Sequence, residues 1–366
     1  MRLVSVKHVE SGATLGRDIY NDSGQILLFK GVALTDRLKA RLVDMGIYYI
    51  YIEDEITEDV VIESVIREDT RHKAVQTIKE EFKAISVETK LNKTINLDHL
   101  SKSFTSIIDT LLKDIKENQD ALAMLQEAYV HDNYIFTHSL NVTVYTLGLA
   151  MKLGYSSKKL NEIGVGALLH DVGKVSVPIE VLNKPGRLND DEYEIIKTHA
   201  MAGYDMLRGV PNIPLLAAHC ALQHHERIDG SGYPRGLKGE HIHQYAKIIG
   251  IADVFDAVTS HRVYRKPMLP HEGLELLYSG AGQIFDKKLV ETFRETISIY
   301  PIGLTVKLSD ARMAIVVKQN KQMSTRPVVR VFNENGQRIK HYYDIDLMEF
   351  LDVTIVETEA TLATVK

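Results

Sequence analysis

Hydrophobic spacing divides the chain into stretches of different periodicity. Through residues 1 to about 60, short β-type runs surround one helical pattern. Asp18 to Leu28 contains the turn Asn21-Asp22-Ser23-Gly24 and reads as a hairpin. Thr35 is placed to N-cap a helix in which Leu38, Leu42 and Met45 recur at helical spacing, and Gly46 stands where a C′ glycine ends one. The run Ile47 to Ile52 predicts a strand. From about 61 to 130 the chain is charged and lacks proline, and its apolar residues step by threes and fours. They fall at Val75, Ile78, Phe82 and Ile85, then at Phe104, Ile108, Leu111, Ile115, Leu122 and Leu125, with polar Asn118 at the one missing site. The second series fits a helical hairpin, the seam of a parallel dimer, or helices packed on their own domain.

From 131 to about 300 the helical pattern is broken only at points such as Val177-Pro178 and Asp229 to Gly236. Ser156 can cap a helix carrying Leu160, Ile163, Ala167 and Leu168, and Asp286 one carrying Leu289, Val290 and Phe293. After Pro301 the period becomes two, over Thr305 to Leu308, Met313 to Val317 and Val328 to Phe332, before the turn Asn333-Glu334-Asn335-Gly336. The expected fold is therefore mainly α. A central all-helical bundle at 131–300 is preceded by a small N-terminal α+β module at 1–60, of regulatory character, and a helical linker at 61–130 with a dimerisation role, and is followed by a small C-terminal β module at 301–366.

Composition narrows the class. At 366 residues, 45% hydrophobic and 25% charged, the chain is long enough for two or three domains and ordinary for a globular protein. Its 44 basic residues against 49 acidic ones leave a net charge of −5, so no general basic field exists to hold nucleic acid or an anionic membrane. An anionic ligand needs a locally positive site. The single cysteine, Cys220, excludes an intrachain disulfide and a thiolate cluster, so a metal would have to use histidine and carboxylate. The opening residues lack a signal-peptide pattern, and no apolar run approaches ~18 residues. The expectation is a cytoplasmic protein without membrane insertion.

Eleven of the fifteen histidines lie between His131 and His271. Their arrangement matters more than their number: His138, the pair His170-Asp171, His199, the pair His224-His225, and Asp253, each on or at the end of a predicted helix. Singly, each reads as a hydrogen-bonded core or surface residue. Together they form the thiol-free donor set that suits borderline and hard divalent metals, and burying so many titratable groups without a cation would be costly. Lys174 follows one turn after His170. Asp229 to Gly236 makes a tight loop beside the histidine pair, and Arg262, Arg265 and Lys266 form a basic run whose guanidinium forks fit phosphate.

In order along the chain, the segments LLHDVGK (Leu168 to Lys174), HHERIDGSGYPRGL (His224 to Leu237) and GIADVFDA (Gly250 to Ala257) resemble the HD-GYP family of HD-type metal-dependent phosphohydrolases. Tyr134 to Asn141, Lys184 to Leu188, Thr198-His199, His261 to Lys266 and Phe285-Asp286 extend the likeness to about half of the chain. The combined signature His170-Asp171 and Gly232-Tyr233-Pro234 is specific; an HD dipeptide alone is weak. The resemblance implies an HD-type helical bundle and a bacterial signalling phosphodiesterase that hydrolyses cyclic di-GMP to linear pGpG, with GMP as an open further product, through attack of a metal-bridging hydroxide. It implies two divalent ions, iron or manganese. One would be held by His138, His170, Asp171 and Asp253, and the other by Asp171, His199, His224 and His225. Asp171 and Lys174 would carry the catalysis. Lys174, Gly232, Tyr233, Pro234, Arg262 and Arg265 would meet substrate. A three-metal subset of the family carries Glu one turn before the first ligand histidine; here Tyr134 stands there, which points to two metals.

A homodimer and a diguanylate cyclase are the expected protein partners. Two alternatives stay open: another HD-type cyclic dinucleotide or nucleotide hydrolase, and a catalytically silent cyclic di-GMP receptor or scaffold.

Overall fold

A computed structural model describes residues 1–20, 25–62, 64–90, 97–117, 134–184, 186–210, 212–260, 267–320 and 323–358. The N-terminal region contains β1 (Arg2–Ser5), β2 (Ile19–Tyr20), β3 (Ile26–Leu28) and β4 (Tyr49–Ile52), paired antiparallel as β1 with β4 and β2 with β3. Turn residues 21–24 lie outside the described residues. Between β3 and β4, α1 (Asp36–Asp44) begins where expected, with Thr35 Oγ1 accepting from Leu38 N at 3.2 Å, and it buries Leu42 completely.

Two long helices follow, α2 (Glu68–Lys90) and α3 (Leu97–Glu117). The central bundle then comprises α4 (Tyr134–Lys152), α5 (Ser157–Leu169), α6 (Ile179–Leu182), α7 (Asp190–Leu207), α8 (Leu215–Gln223), α9 (Gln244–Thr259), α10 (Pro270–Ser279) and α11 (Lys287–Thr296). Ser156 occupies the N-cap of α5 but its side chain makes no capping bond, whereas Asp286 Oδ1 caps α11 by accepting from Leu289 N at 3.1 Å.

The apolar stripes of α2 and α3 enter the same core as the bundle: Phe82, Phe104, Ile108, Leu111 and Ile115 are at most 1% exposed. A Cβ placed on Gly164 of α5 would come within 2.8 Å of Ile108 Cδ1, so the Ile108 side chain of α3 packs directly over that glycine of α5. For Ile108, Leu111 and Ile115 the seam reading is thus replaced by packing within one chain. Leu122, Leu125 and Asn118 lie outside the described residues.

At the C-terminal end, β5 (Thr305–Leu308), β6 (Met313–Lys318), β7 (Val328–Glu334), β8 (Gln337–Asp346) and β9 (Ile355–Thr358) form an antiparallel sheet in the order β8-β7-β6-β5-β9. The β7–β8 hairpin closes through Asn335 and Gly336, both at positive φ, between the paired Glu334 and Gln337. That shortens the expected four-residue turn to a two-residue one, of the kind for which Asn-Gly is suited.

The end modules are not separate bodies. Leu3 N donates to Gly303 O at 2.9 Å, and Leu3, Tyr49 and Tyr51 share a core with Leu304, Val306 and Val331. A two-stranded ribbon cannot bury its own apolar face, so the first strands use the last sheet as their second layer. Among the described residues, no helix is long and apolar enough to cross a membrane.

Candidate metal centre

The site forms where α4, α5, α7, α8 and α9 converge. His170 is the last residue of the α5 turn and Asp171 opens the 3-10 turn Val172–Ser176. This turn lies directly on α7: a Cβ on Gly173 would fall 2.0 Å from His199 O, so only glycine allows the approach. His199 comes from α7, His224 ends α8, His138 lies on α4 and Asp253 on α9. All six of these side chains are buried. His225 is half-buried beside them.

Three histidines are oriented by their own helices. His170 Nδ1 donates to Ala167 O at 2.7 Å, His199 Nδ1 to Ile196 O at 2.6 Å and His224 Nδ1 to Ala221 O at 2.9 Å. A carbonyl can only accept, so Nδ1 carries the proton in each and Nε2 presents a lone pair to the centre. Asp171 separates these donors into two sets. Its Oδ2 lies 3.4 Å from His170 Nε2 and 3.6 Å from His138 Nε2; its Oδ1 lies 3.4 Å from His199 Nε2 and 3.8 Å from His224 Nε2. The donor atoms of His138, His170 and Asp171 fall within 4.8 Å of one another, as do those of Asp171, His199, His224 and His225. Asp253 adjoins both sets, with Oδ1 3.0 Å from His138 Nε2 and Oδ2 3.6 Å from His225 Nδ1.

This arrangement fits a resident metal. His170 Nε2 and Asp171 Oδ1 are buried without a hydrogen-bond partner. His199 Nε2 and His224 Nε2 face each other at 3.4 Å although both Nδ1 protons are already donated elsewhere. Lone pairs set against one another in a buried space call for a cation between them. Burial, reinforced by His170 and His199, pushes the His224 pKa down to about 3, which keeps its ring neutral. Burial would raise the Asp171 pKa, but Lys174, His170 and His199 hold it well below the usual carboxylate range. His138 is the exception: burial lowers its pKa, yet Asp253 and Asp256 outweigh burial and hold it at about 9.

Two groups that the sequence reading missed complete the site. Asp256 Oδ2 lies 2.6 Å from His138 Nδ1, the orienting carboxylate that a metal-binding histidine commonly has. Its spacing three residues after Asp253 on a helix was the available signal. Buried Glu226 accepts from Arg235 N and from Leu237 N, both at 2.8 Å, and so ties down the loop that follows the histidine pair.

Within that loop, a Cβ on Gly232 would lie 2.4 Å from His225 O, and Tyr233 stacks on His225 with centroids 4.6 Å apart at 30°. Pro234 follows, half-buried. Lys174 Nζ sits 2.5 Å from Asp171 Oδ2. Arg262 and Arg265 lie outside the described residues. Of Tyr134, only its place at the start of α4 is described.

A family model described as HD domain matches residues 112–289, and one described as KOW domain associated with HD domain matches residues 305–361. Cyclic di-GMP phosphodiesterase PA4108 of Pseudomonas aeruginosa is 32% identical over 269 residues, 73% of this chain and 64% of that protein. Cyclic di-GMP phosphodiesterase response regulator RpfG of Xanthomonas campestris is 44% identical over 144 residues, 39% of this chain and 38% of its own. The 3'3'-cGAMP-specific phosphodiesterase 2 of Vibrio cholerae is 38% identical over 159 residues, 43% of this chain and 30% of its own. The chain therefore spans less than two thirds of each of these relatives. Every residue of the cluster falls inside the HD-domain match, and residues 112–289 of the chain belong to the HD-domain family.

Proposed function

We propose that the chain is a metal-dependent phosphodiesterase that opens cyclic di-GMP to linear pGpG, with GMP as an open further product. The observation that carries this reading is the pair of donor sets sharing Asp171, with the Gly232-Tyr233-Pro234 loop folded onto His225. The relatives' names supply the substrate class. On this reading His138, His170, Asp171 and Asp253 hold one divalent ion and Asp171, His199, His224 and His225 a second, iron or manganese in each case. Such ions, when bound, polarise a phosphodiester and lower the pKa of water. Asp171, kept anionic by its neighbours, offers one oxygen to each set. Lys174 supplies positive charge beside Asp171 that offsets charge developing on the attacked phosphate. Gly232, Tyr233 and Pro234 shape the substrate wall, and Arg262 and Arg265 are assigned to the substrate phosphates on sequence grounds.

On the same proposal the sequence modules are 1–60, 61–130, 131–300 and 301–366, the first sharing a core with the last and the second with the third, and the chain is cytoplasmic. A homodimer and a diguanylate cyclase are its protein partners. Ile108, Leu111 and Ile115 are covered within one chain, and Leu122 and Leu125 lie outside the described residues.

A second substrate reading, a different cyclic dinucleotide, is favoured by the match to a relative named for 3'3'-cGAMP. Anaerobic purification, metal quantification and product analysis with both dinucleotides test the proposal. It expects two metal equivalents per chain and pGpG from cyclic di-GMP. Metal-loaded protein that binds cyclic di-GMP without turning it over would be a receptor instead.

A further inference from the structure

A run of aromatic rings leads out of the metal centre toward solvent. His225 stacks on Tyr233, and Tyr233 meets Tyr193 of α7 edge-on, with centroids 6.4 Å apart at 81°. Tyr193 is 46% exposed, the outermost ring of the run. It is nevertheless firmly placed. It sits on the first turn of α7 just after a complete capping box, in which Asn189 Oδ1 accepts from Glu192 N and Glu192 Oε2 from Asn189 N. Lys184 pairs with the same Glu192. The Lys197 ammonium lies 4.8 Å from the Tyr193 centroid and 5.8 Å from that of Tyr233, and Glu194 holds Lys197 in place. A large aromatic side chain on a rigid helix end, oriented by a cation and left open beside a phosphate-handling centre, has the properties of a nucleobase platform, because every base presents a π-face to such a ring.

We infer that Tyr193, oriented by Lys197, stacks against one nucleobase of the substrate; this rests on the cyclic dinucleotide reading above. A cyclic dinucleotide held by a phosphate at the metals extends its nucleosides outward, and Tyr233 and Tyr193 are the rings beyond the metal ligands in that run. Tyr193 is therefore a substrate-binding residue that distinguishes dinucleotides from small phosphodiesters, and it takes no part in cleavage.

Tyr193→Ala is expected to raise KM for cyclic di-GMP by roughly 10-fold, the effect of losing one base–aromatic stack. Its kcat and metal content stay near those of the unmutated chain, and Tyr193→Phe restores the low KM. The chain contains no tryptophan, so Tyr193→Trp introduces a single indole whose fluorescence reports stacking in stopped-flow mixing with cyclic di-GMP. Saturable quenching supports the platform. Unchanged KM in Tyr193→Ala and no quenching, in a chain that hydrolyses cyclic di-GMP, overturn the platform alone; so does a fall in kcat or metal content at constant KM, which marks a structural role. Quenching without hydrolysis by the unmutated chain overturns the hydrolase reading and leaves the platform standing. The absence of both overturns both.

Discussion

Asp171 and Asp256 occupy different places around the same histidine, and their removal should differ accordingly. Asp171 contributes an oxygen to each donor set, so Asp171→Ala opens both. We expect loss of hydrolysis together with loss of bound metal; near-normal turnover at full metal content would refute the shared role. Asp256 touches His138 on the side away from the centre. Asp256→Asn keeps the shape but removes the charge that orients the imidazole, and should weaken metal binding about 10- to 100-fold. Titration of the metal-free protein measures this directly, and unchanged affinity would remove Asp256 from the site.

Among the structural elements, the loop after His224-His225 depends on one side chain. Both Glu226 oxygens are used by backbone N–H groups at the far end of the loop. Glu226→Ala removes the buried acceptor of both part-buried bonds, a cost of about 1–3 kcal/mol, and releases the segment that holds Tyr233 over His225. Because Glu226 touches none of the metal-facing atoms, the expected outcome is lower kcat/KM and a lower Tm with metal content retained. Loss of metal in this variant would show that the loop supports the ligands themselves.

Across the whole molecule, two packing arrangements make separable predictions. Ile108 is fully buried against the bundle. Ile108→Asp places a charge there without a partner and should destabilise the fold by about 3 kcal/mol or more, with thermal unfolding as the readout, instead of dissociating a folded dimer. The union of the end modules depends partly on Arg330, which donates to Ile56 O at 3.0 Å and pairs with Asp59 and Asp344. The Arg330 hydrogen bond is the main cause that lowers the Asp59 pKa. A depressed carboxylate pKa contributes stability above the ordinary value of about 3.9, lost as pH falls through the lower folded value. At this exposure the contribution is under about 1 kcal/mol. Arg330→Met should therefore flatten the fall in stability below about pH 4 while leaving metal binding intact, and an unchanged acid profile would dismiss the pair.

The helical period of residues 131–300 and the alternation after Pro301 were legible because each element repeats its own burial pattern locally. The donor chemistry was equally plain, since one cysteine leaves only imidazole and carboxylate. The sequence likewise marked Thr35 and Asp286 as caps, because a capping bond spans three residues. Spacing could not distinguish the buried bond between Asp256 and His138 from the contacts of an ordinary helix-face carboxylate, because the two residues lie 118 positions apart. Nor could it choose what covers Ile108, Leu111 and Ile115. An apolar stripe loses the same contact with water against a neighbouring helix or a second chain, and only the close approach of α3 to α5 decides for the neighbour. The merger of the first strands with the last sheet was likewise invisible, because burial requires a second layer without specifying which distant segment provides it.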